Sequence, residues 1–210
     1  MAPHSDSRNR LLDAAVTLIR TRGYEATRVD DVCAAAGVTK GSFFHHFKTK
    51  EDLAHAAAQR FAERADALFA QAPYHAAATP LARVLGYVEF RIRMIAGELA
   101  DFTCLLGMVS QETFATHPGL AAAGGTHIRD HAATLVPDIR AARAALVPDA
   151  DWSPESLALH IQAVVQGSFV LAKSQQDPQA AVDSLRHLHR YLVHLFGEVP
   201  ASPHPTKEPS

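Results

Sequence analysis

The chain has 210 residues, enough for one large domain or for a small module joined to a larger one. Hydrophobic residues make up 48% of the sequence and allow a substantial buried core, but no apolar stretch approaches the roughly 20 residues that cross a bilayer. The polar N-terminus lacks the apolar core of a signal peptide, so we expect a cytoplasmic protein without membrane spans. The two cysteines, Cys33 and Cys104, exclude a disulfide framework and suit a reducing compartment.

The net charge of −2 hides an uneven distribution of charged residues. Residues 1–50 contain eight Lys and Arg against five Asp and Glu. Between Thr39 and Lys50 there are three lysines, two histidines and no acid. A locally basic segment on a mildly acidic body favours docking on a polyanion through one face, although ordinary solvated surfaces also carry such clusters.

Alanine and leucine dominate the sequence and β-branched runs are sparse, which predicts helices rather than strands. Apolar spacing and capping residues predict four helices in the N-terminal part, at about 8–22, 27–36, 39–46 and from 49 onward. Gly23 and Gly37 suit the turns after the first two helices. Thr27 is the expected cap of the second helix, and Thr49 that of the fourth.

Longer amphipathic helices are predicted after Pro73. One apolar stripe runs from Leu81 to Ile95, and another from Phe102 to Val109. A helix over about 120–146 should be loosened or kinked by its Gly-Gly pair and by Pro137. Two closing helices are predicted at roughly 154–174 and 178–197, and residues 200–210 are expected to form a disordered tail.

The second and third helices meet at Gly37 and are flanked by basic residues, which is typical of a helix-turn-helix. Such a unit needs a tight turn and a second helix that presents small or polar side chains to a DNA groove. The N-termini of the helices also offer free N–H groups to phosphates. Gly41 would permit close approach of the backbone to a phosphate or a base edge.

Three segments near the N-terminus match a known DNA-binding signature in residues and in spacing. They are Gly23-Tyr24 with Thr27, the run Ala36-Gly37-Val38-Thr39-Lys40-Gly41-Ser42-Phe43-Phe44-His45-His46-Phe47, and Lys50-Glu51-Asp52-Leu53. In these residues the chain closely resembles the TetR (tetracycline-repressor) family of transcription factors. The resemblance implies an all-α fold with a three-helix helix-turn-helix DNA-binding domain at 1–53 and a larger helical ligand-binding and dimerisation domain at 54–199.

The resemblance also implies a homodimeric repressor, without enzymatic activity or cofactor, that leaves a palindromic double-stranded operator when an inducer binds. The inducer would be a small molecule or an electrophile. Lys40 is expected to contact a guanine, whereas Arg28 and Lys50 are expected to contact phosphates. Phe44 stands where the family usually has tyrosine, so the hydroxyl that would reach a phosphate is missing. The candidate DNA-binding residues are Arg28, Thr39, Lys40, Gly41, Ser42, Phe44, His45 and Lys50.

Two downstream segments resemble, more weakly, a TetR subgroup that includes electrophile-responsive repressors. They are Cys104-Leu105-Leu106-Gly107 with Gln111-Glu112, and Gln166-Gly167-Ser168-Phe169 with Ala172-Lys173. If Lys173 approaches Cys104, its cation would favour the reactive thiolate. The alternatives are a core cysteine and a lysine at a solvated edge. The candidate sensor residues are Cys104, Met108, Gln166, Phe169 and Lys173; on a continuous helix the first two would share a face with Glu112.

The last two helices are the expected dimer interface, because they carry more apolar surface than one intramolecular contact covers. The stripe on the second of them comprises Val182, Leu185, Leu192 and Phe196. Its histidines lack a carboxylate at matching spacing, so no metal site is predicted. A helical-bundle enzyme and a protein-interaction module remain the alternatives, although no set of catalytic residues supports the first and the basic helix-turn-helix argues against the second.

Overall fold

The computed structural model describes residues 4–197 and contains eleven α-helices in that range. The predicted tail at 200–210 lies outside the described residues. A short 3₁₀ helix, Pro73–Ala76, follows the fourth helix. The helices are α1 His4–Arg22, α2 Val29–Ala36, α3 Lys40–His46, α4 Lys50–Ala70, α5 Pro80–Arg93, α6 Leu99–Phe102, α7 Leu105–Thr113, α8 Pro118–Ala133, α9 Val136–Leu146, α10 Pro154–Gln175 and α11 Pro178–Leu195.

Helices α1 to α3 and the first half of α4 form the part that we call the head. Its buried core is built around Leu11, Tyr24, Val32 and Phe43, each at most 1% exposed. Leu105, Leu106, Val109 and Leu120 from later helices belong to the same apolar cluster. The head is therefore packed on the rest of the molecule, which we call the body, and α4 runs through the predicted boundary at 53/54 into both.

The start of α2 differs from the prediction. Thr27 does not cap this helix, because its side chain is buried and its hydroxyl donates to the carbonyl of Gly23 at 2.6 Å. The cap position is Arg28, whose backbone N–H donates to the carboxylate of Asp31 at 3.3 Å. Thr49 does cap α4, as predicted, by accepting from the N–H of Asp52 at 3.0 Å.

The predicted stripe from Phe102 to Val109 does not lie on one helix. Helix α6 ends at Phe102, and Thr103 and Cys104 have extended backbone before α7 begins. Cys104 is the N-cap of α7, where its sulfur accepts from the N–H of Gly107 at 3.5 Å. It therefore does not share a helical face with Met108.

The segment 120–146 breaks before Pro137 but not at its glycine pair, which lies inside α8. Gly124 is buried, and a Cβ there would come within 2.5 Å of Ser110 Oγ. The prediction that both glycines loosen the helix is wrong, because the first of them allows α7 to pack closely on α8.

The predicted dimer stripe is wrong as well. Leu185, Leu192 and Phe196 are at most 2% exposed and belong to the core of the body. Apolar side chains are exposed on another face of the closing helices. That face carries Leu159, Ala163, Gly167, Val170 and Leu171 on α10 and Tyr191 on α11.

None of the helices within residues 4–197 combines the length and the apolar character that crossing a membrane requires.

Candidate functional site

The turn between α2 and α3 has the geometry of a helix-turn-helix. Gly37 ends α2 with φ 62° and ψ 40°, a left-handed conformation that glycine adopts without a steric penalty. Thr39 then caps α3 by accepting from the N–H of Ser42 at 3.2 Å. Val32 and Phe43 are both fully buried and fix the two helices against the core of the head.

Most of the candidate DNA-binding residues lie on an exposed surface around α3. Phe44 is 54% exposed and packs edge-on against Phe43. A Cβ added at Gly41 would meet only Thr39 Oγ1, at an ordinary 3.8 Å, so packing within the protein does not require a glycine there. Arg28, Thr39, Lys40, Gly41, Phe44 and His45 are exposed, whereas Ser42 and Lys50 are half-buried.

The two candidate lysines have different surroundings. Lys40 Nζ forms an exposed ion pair with Asp30 of α2 at 2.8 Å, and hydrogen bonding to Asp30 raises the pKa of this lysine. Lys50 Nζ donates to the carbonyls of Tyr24 and Glu25 at 3.2 and 3.5 Å, and lies 4.1 Å from the centre of the Tyr24 ring. We therefore revise the prediction for Lys50: its side chain holds the turn between α1 and α2, which does not support a phosphate contact.

The five candidate sensor residues line one cavity of about 550 Å³ on the body side of the head. Lys173 Nζ lies in it but donates to the carbonyl of Arg20 at 2.9 Å and is 3.1 Å from the sulfur of Met108. Burial and the nearby Arg20 lower the pKa of Lys173. Among the described residues, no hydrogen bond joins Lys173 to the Cys104 thiol, although the two groups are near enough to interact electrostatically. Activation of this thiol by Lys173 stays a prediction.

A second cavity of about 280 Å³ adjoins the first and was not predicted from the sequence. Thr103, Cys104, Gln166 and Phe169 line both cavities. Helical spacing does indicate part of its wall, since it places Gln162 on one stripe with Gln166 and Phe169, and all three line this cavity. Aromatic rings form much of its wall, from Phe61, Phe69, Phe102 and Phe169.

Gln162, Arg91 and His131, which line the smaller cavity, form a hydrogen-bonded cluster around the buried Tyr87. The Tyr87 hydroxyl accepts from Gln162 Nε2 at 2.6 Å and from Arg91 Nε at 3.0 Å, and lies 3.1 Å from His131 Nε2. With two donors already directed at it, the hydroxyl donates its own proton to His131. Burial, together with Arg91, lowers the pKa of His131 to about 4, so this imidazole is neutral at neutral pH.

Helix α7 joins the cavities to the head. Its N-cap is Cys104, and near its other end the carboxylate of Glu112 accepts the backbone N–H groups of Tyr24 and Glu25 at 2.6 and 2.9 Å. Gly23, with φ 95°, makes room for this contact, since a Cβ there would lie 2.8 Å from a Glu112 oxygen. In the sequence, Glu112 stands out only by its place in a motif. No local pattern indicates that its carboxylate contacts Tyr24 and Glu25, which lie 88 and 87 positions away in the chain.

Metal binding has no structural support in the part of the chain that the structure covers. No group of three or more His, Cys, Asp or Glu side chains within residues 4–197 is arranged to hold a metal ion.

Comparisons with known proteins match both parts of the molecule. The family model "Bacterial regulatory proteins, tetR family" matches residues 11–57, and the model "Tetracyclin repressor-like, C-terminal domain" matches residues 80–188. The second match alone covers more than half of the chain. A crystal structure of a regulatory protein TetR from Rhodobacter sphaeroides superimposes with a TM-score of 0.75 at 26% identity, over 88% of this chain and 98% of that one.

Two sequence relatives match over very different lengths. The transcriptional regulator AcuR of Cereibacter sphaeroides is 27% identical over 183 residues, which cover 87% of this chain and 84% of AcuR. The transcriptional repressor KstR2 of Rhodococcus jostii is 49% identical over 49 residues, 23% of this chain. That second match spans only 24% of KstR2, less than two thirds of its length.

Proposed function

Because the chain belongs to the TetR family of bacterial regulatory proteins and is a DNA-binding transcriptional regulator, we propose that it is a repressor released from its operator by a small molecule. The observation that carries this proposal is helix α7. Its N-cap, Cys104, lines both cavities, and its Glu112 bonds to the turn of the head that precedes α2. A ligand that moves α7 would therefore change the orientation of the recognition helix α3.

The proposed DNA complex places α3 in the major groove. Lys40, Gly41, Phe44 and His45 are the exposed residues that would face the bases or the adjoining phosphates. Lys40 must first leave Asp30, an exchange that costs little because an exposed ion pair contributes only about 0–1 kcal/mol. At the start of α4 the N–H of Asp52 donates to the Thr49 cap, and a phosphate would bind to the N–H groups of Lys50 and Glu51.

The proposed active species is a homodimer built on the exposed face of α10 and α11. Leu159, Ala163, Gly167 and Leu171 recur at every fourth residue along α10 and are all exposed in the protomer. Small residues at the centre of such a stripe allow two helices to approach closely, and a two-fold interface would bury the stripe of each copy against the other. Two heads would then reach successive major grooves of a palindromic operator, about 34 Å apart.

The proposed sensing event takes place in the cavities of the body. Noncovalent filling by a ligand is one route. Covalent modification of Cys104 is the other, and its support is that this thiol is partly exposed and lines both cavities. The proposed site of action is the cytoplasm, where the bacterial chromosome lies.

The test begins with the operator. Selection of bound fragments from random duplex DNA, followed by footprinting, should yield a palindrome with two half-sites on one face of the helix. Affinity should fall steeply with salt, as it does when several phosphates are neutralised. A protein that binds all duplexes equally, or none, would contradict the proposed function.

A further inference from the structure

The smaller cavity has the wall of a small-molecule site. Its volume of about 280 Å³ is close to the lower end of the range of about 300–1,000 Å³ for such sites. Four phenylalanine rings and a few polar groups line it, so an occupant with an apolar or aromatic body would be surrounded on several sides. The cavity is distinguished by the arginines among those polar groups.

Three arginines line this cavity, and two of them are bonded to neutral groups. Arg91 Nε donates to the Tyr87 hydroxyl, and its guanidinium lies 4.3 Å from the centre of the Phe69 ring. Arg20 Nε donates to the carbonyl of Thr103 at 3.0 Å, and burial lowers the pKa of Arg20. Within residues 4–197, no carboxylate oxygen lies within 4.0 Å of either guanidinium.

The acidic residues of the cavity lie at its exposed edge. Asp66 and Asp101 are both exposed, and the carboxylate of Asp101 already accepts the N–H of Glu98 at 2.9 Å. Asp101 attracts Arg20 only from a longer distance. The third arginine of the cavity, Arg64, pairs with Asp13 at 2.8 Å. The cavity edge is therefore mixed in charge, whereas Arg20 and Arg91 have no carboxylate in contact.

The Tyr87 cluster adds no negative charge to the inner wall. Gln162 and the Tyr87 hydroxyl contribute hydrogen-bonding dipoles, and His131 is neutral at neutral pH. A partly buried cation that contacts only neutral dipoles favours the binding of an anion, because the low local dielectric strengthens the attraction between the two charges. The Thr103 hydroxyl is buried without a partner among the described residues, and Thr103 lines the same cavity.

We propose that the smaller cavity binds the carboxylate of a small aromatic or aliphatic acid, with the carboxylate on Arg91 and the apolar body among the phenylalanine rings. The terminal nitrogens of Arg91 form a planar fork that fits the two oxygens of a carboxylate. This inference rests on the proposed function and names the chemical class of its inducer.

Calorimetry on the full-length protein without DNA tests the proposal directly. The probes are benzoate, phenylacetate, trans-cinnamate and hexanoate, each compared with its primary amide, which has nearly the same shape but no charge. At least one acid should bind, and at least about tenfold more tightly than its amide, the factor that corresponds to about 1.4 kcal/mol. Equal binding of acid and amide, or no binding of any acid at millimolar concentration, would overturn the proposal.

Variants locate the anion within the cavity. Arg91→Gln should weaken binding of the acid at least about tenfold and leave binding of the amide nearly unchanged. The matched control is Arg93→Gln, two residues further along α5, where the arginine is exposed and pairs with Glu89 at 3.7 Å; it should bind the acid like the unmodified protein. An Arg91→Gln protein that keeps full affinity for the acid would exclude this geometry.

Operator binding is measured separately on the same proteins. If the acids fail in calorimetry while the operator is still bound, the ligand class is wrong and the proposed repressor function stands. If the acids bind but no operator can be selected, the ligand class stands and the proposed function fails.

Discussion

At the scale of single residues, the two thiols differ in access to reagents. Cys33 is 6% exposed, and burial together with Asp30 raises the pKa of its thiol. Cys104 is partly exposed at the border of the two cavities. We expect iodoacetamide to alkylate Cys104 at least about tenfold faster than Cys33, since reactivity follows thiolate fraction and access.

Peptide mass spectrometry at several reaction times measures both rates in one sample. Cys104→Ser should remove the fast phase, and Cys33→Ser should leave it unchanged. If the Cys104→Ser protein still leaves its operator when treated with quinones, aldehydes or hypochlorite, modification of Cys104 is not the releasing event.

Lys40 and Arg28 should affect DNA binding in different ways. Replacing Lys40 by Met should cost about 1–3 kcal/mol at the preferred operator and relax the choice of base at one position of each half-site. Replacing Arg28 by Met should weaken all duplexes alike and flatten the salt dependence, as loss of a phosphate contact does. Fluorescence anisotropy with operator and scrambled duplexes separates the two patterns, and an unchanged base preference in the Lys40 variant would remove it from the reading surface.

At the scale of helices, α7 contacts the head through apolar side chains and through the carboxylate of Glu112. Glu112→Gln would turn an N–H donor towards Tyr24 or Glu25, whose own N–H groups need an acceptor. We expect the free energy of unfolding to fall by about 1–3 kcal/mol, the usual range for hydrogen bonds to a charged group.

The effect should be local as well as global. Hydrogen exchange at the amides of Tyr24 and Glu25 should accelerate in the Glu112→Gln protein, because these are the groups that lose their acceptor. Gln111→Ala, at the exposed neighbouring position, should change neither quantity. Unaltered exchange at Tyr24 and Glu25 would mean that Glu112 does not hold the turn in solution.

The exposed stripe of α10 gives a clean test of dimerisation. A Cβ added at Gly167 meets no atom of the protomer within 4 Å, so Gly167→Leu should fold normally but block close approach of two α10 helices. Gly119 on α8 is equally free of neighbours, and Gly119→Leu is the matched control. Sedimentation velocity should show a monomer for the first variant and a dimer for the second; a dimeric Gly167→Leu protein would move the interface elsewhere.

Sequence periodicity predicted the positions of the helices better than it predicted the surfaces against which they pack. Leu192 has the spacing of an apolar stripe, but the same pattern arises whether the stripe is covered within the chain or by a second copy. The start of α2 was misplaced because Thr27 has a capping residue type, whereas its hydroxyl bonds to the preceding turn. Cys104 was placed on a helix because nothing in its apolar surroundings indicates the extended residues before α7.

At the scale of the whole molecule, protonation of His131 at low pH should destabilise the folded protein. Its pKa is 6.5 in an unfolded chain and about 4 in the folded one. Between these values the unfolded chain binds a proton that the folded chain does not, so the free energy of unfolding decreases as the pH falls from 6.5 towards 4. The loss from this group should be about 2–3 kcal/mol, since one pKa unit corresponds to about 1.4 kcal/mol.

Urea unfolding at a series of pH values measures this loss. His131→Gln should show a correspondingly weaker dependence on pH, because its amide can still accept from Tyr87 but does not titrate. His55→Gln, a change of a half-buried histidine near Glu51, should retain the dependence of the unmodified protein. Identical pH profiles for the His131 variant and the unmodified protein would rule out this role for His131.

The packing of the head on the body could be predicted from the sequence only in part. The sequence indicated a DNA-reading segment followed by a helical body, and the structure has that order. It did not indicate that Leu105, Leu106 and Val109 complete the core of the head, because contacts so far apart in the chain leave no local pattern. The smaller cavity was missed for the same reason, since its arginines come from α1, α4 and α5.

The contact of Glu112 with the head has a consequence for building chimeric regulators. Both of its acceptor bonds go to main-chain N–H groups, which every residue except proline possesses. A foreign DNA-reading unit grafted onto this body would therefore find the same hydrogen-bond acceptor, provided that it keeps glycine at position 23, has no proline at 24 or 25, and offers an apolar surface to Leu105, Leu106 and Val109. Operator choice could then be exchanged without altering the proposed ligand site, so that one body could serve several synthetic gene circuits.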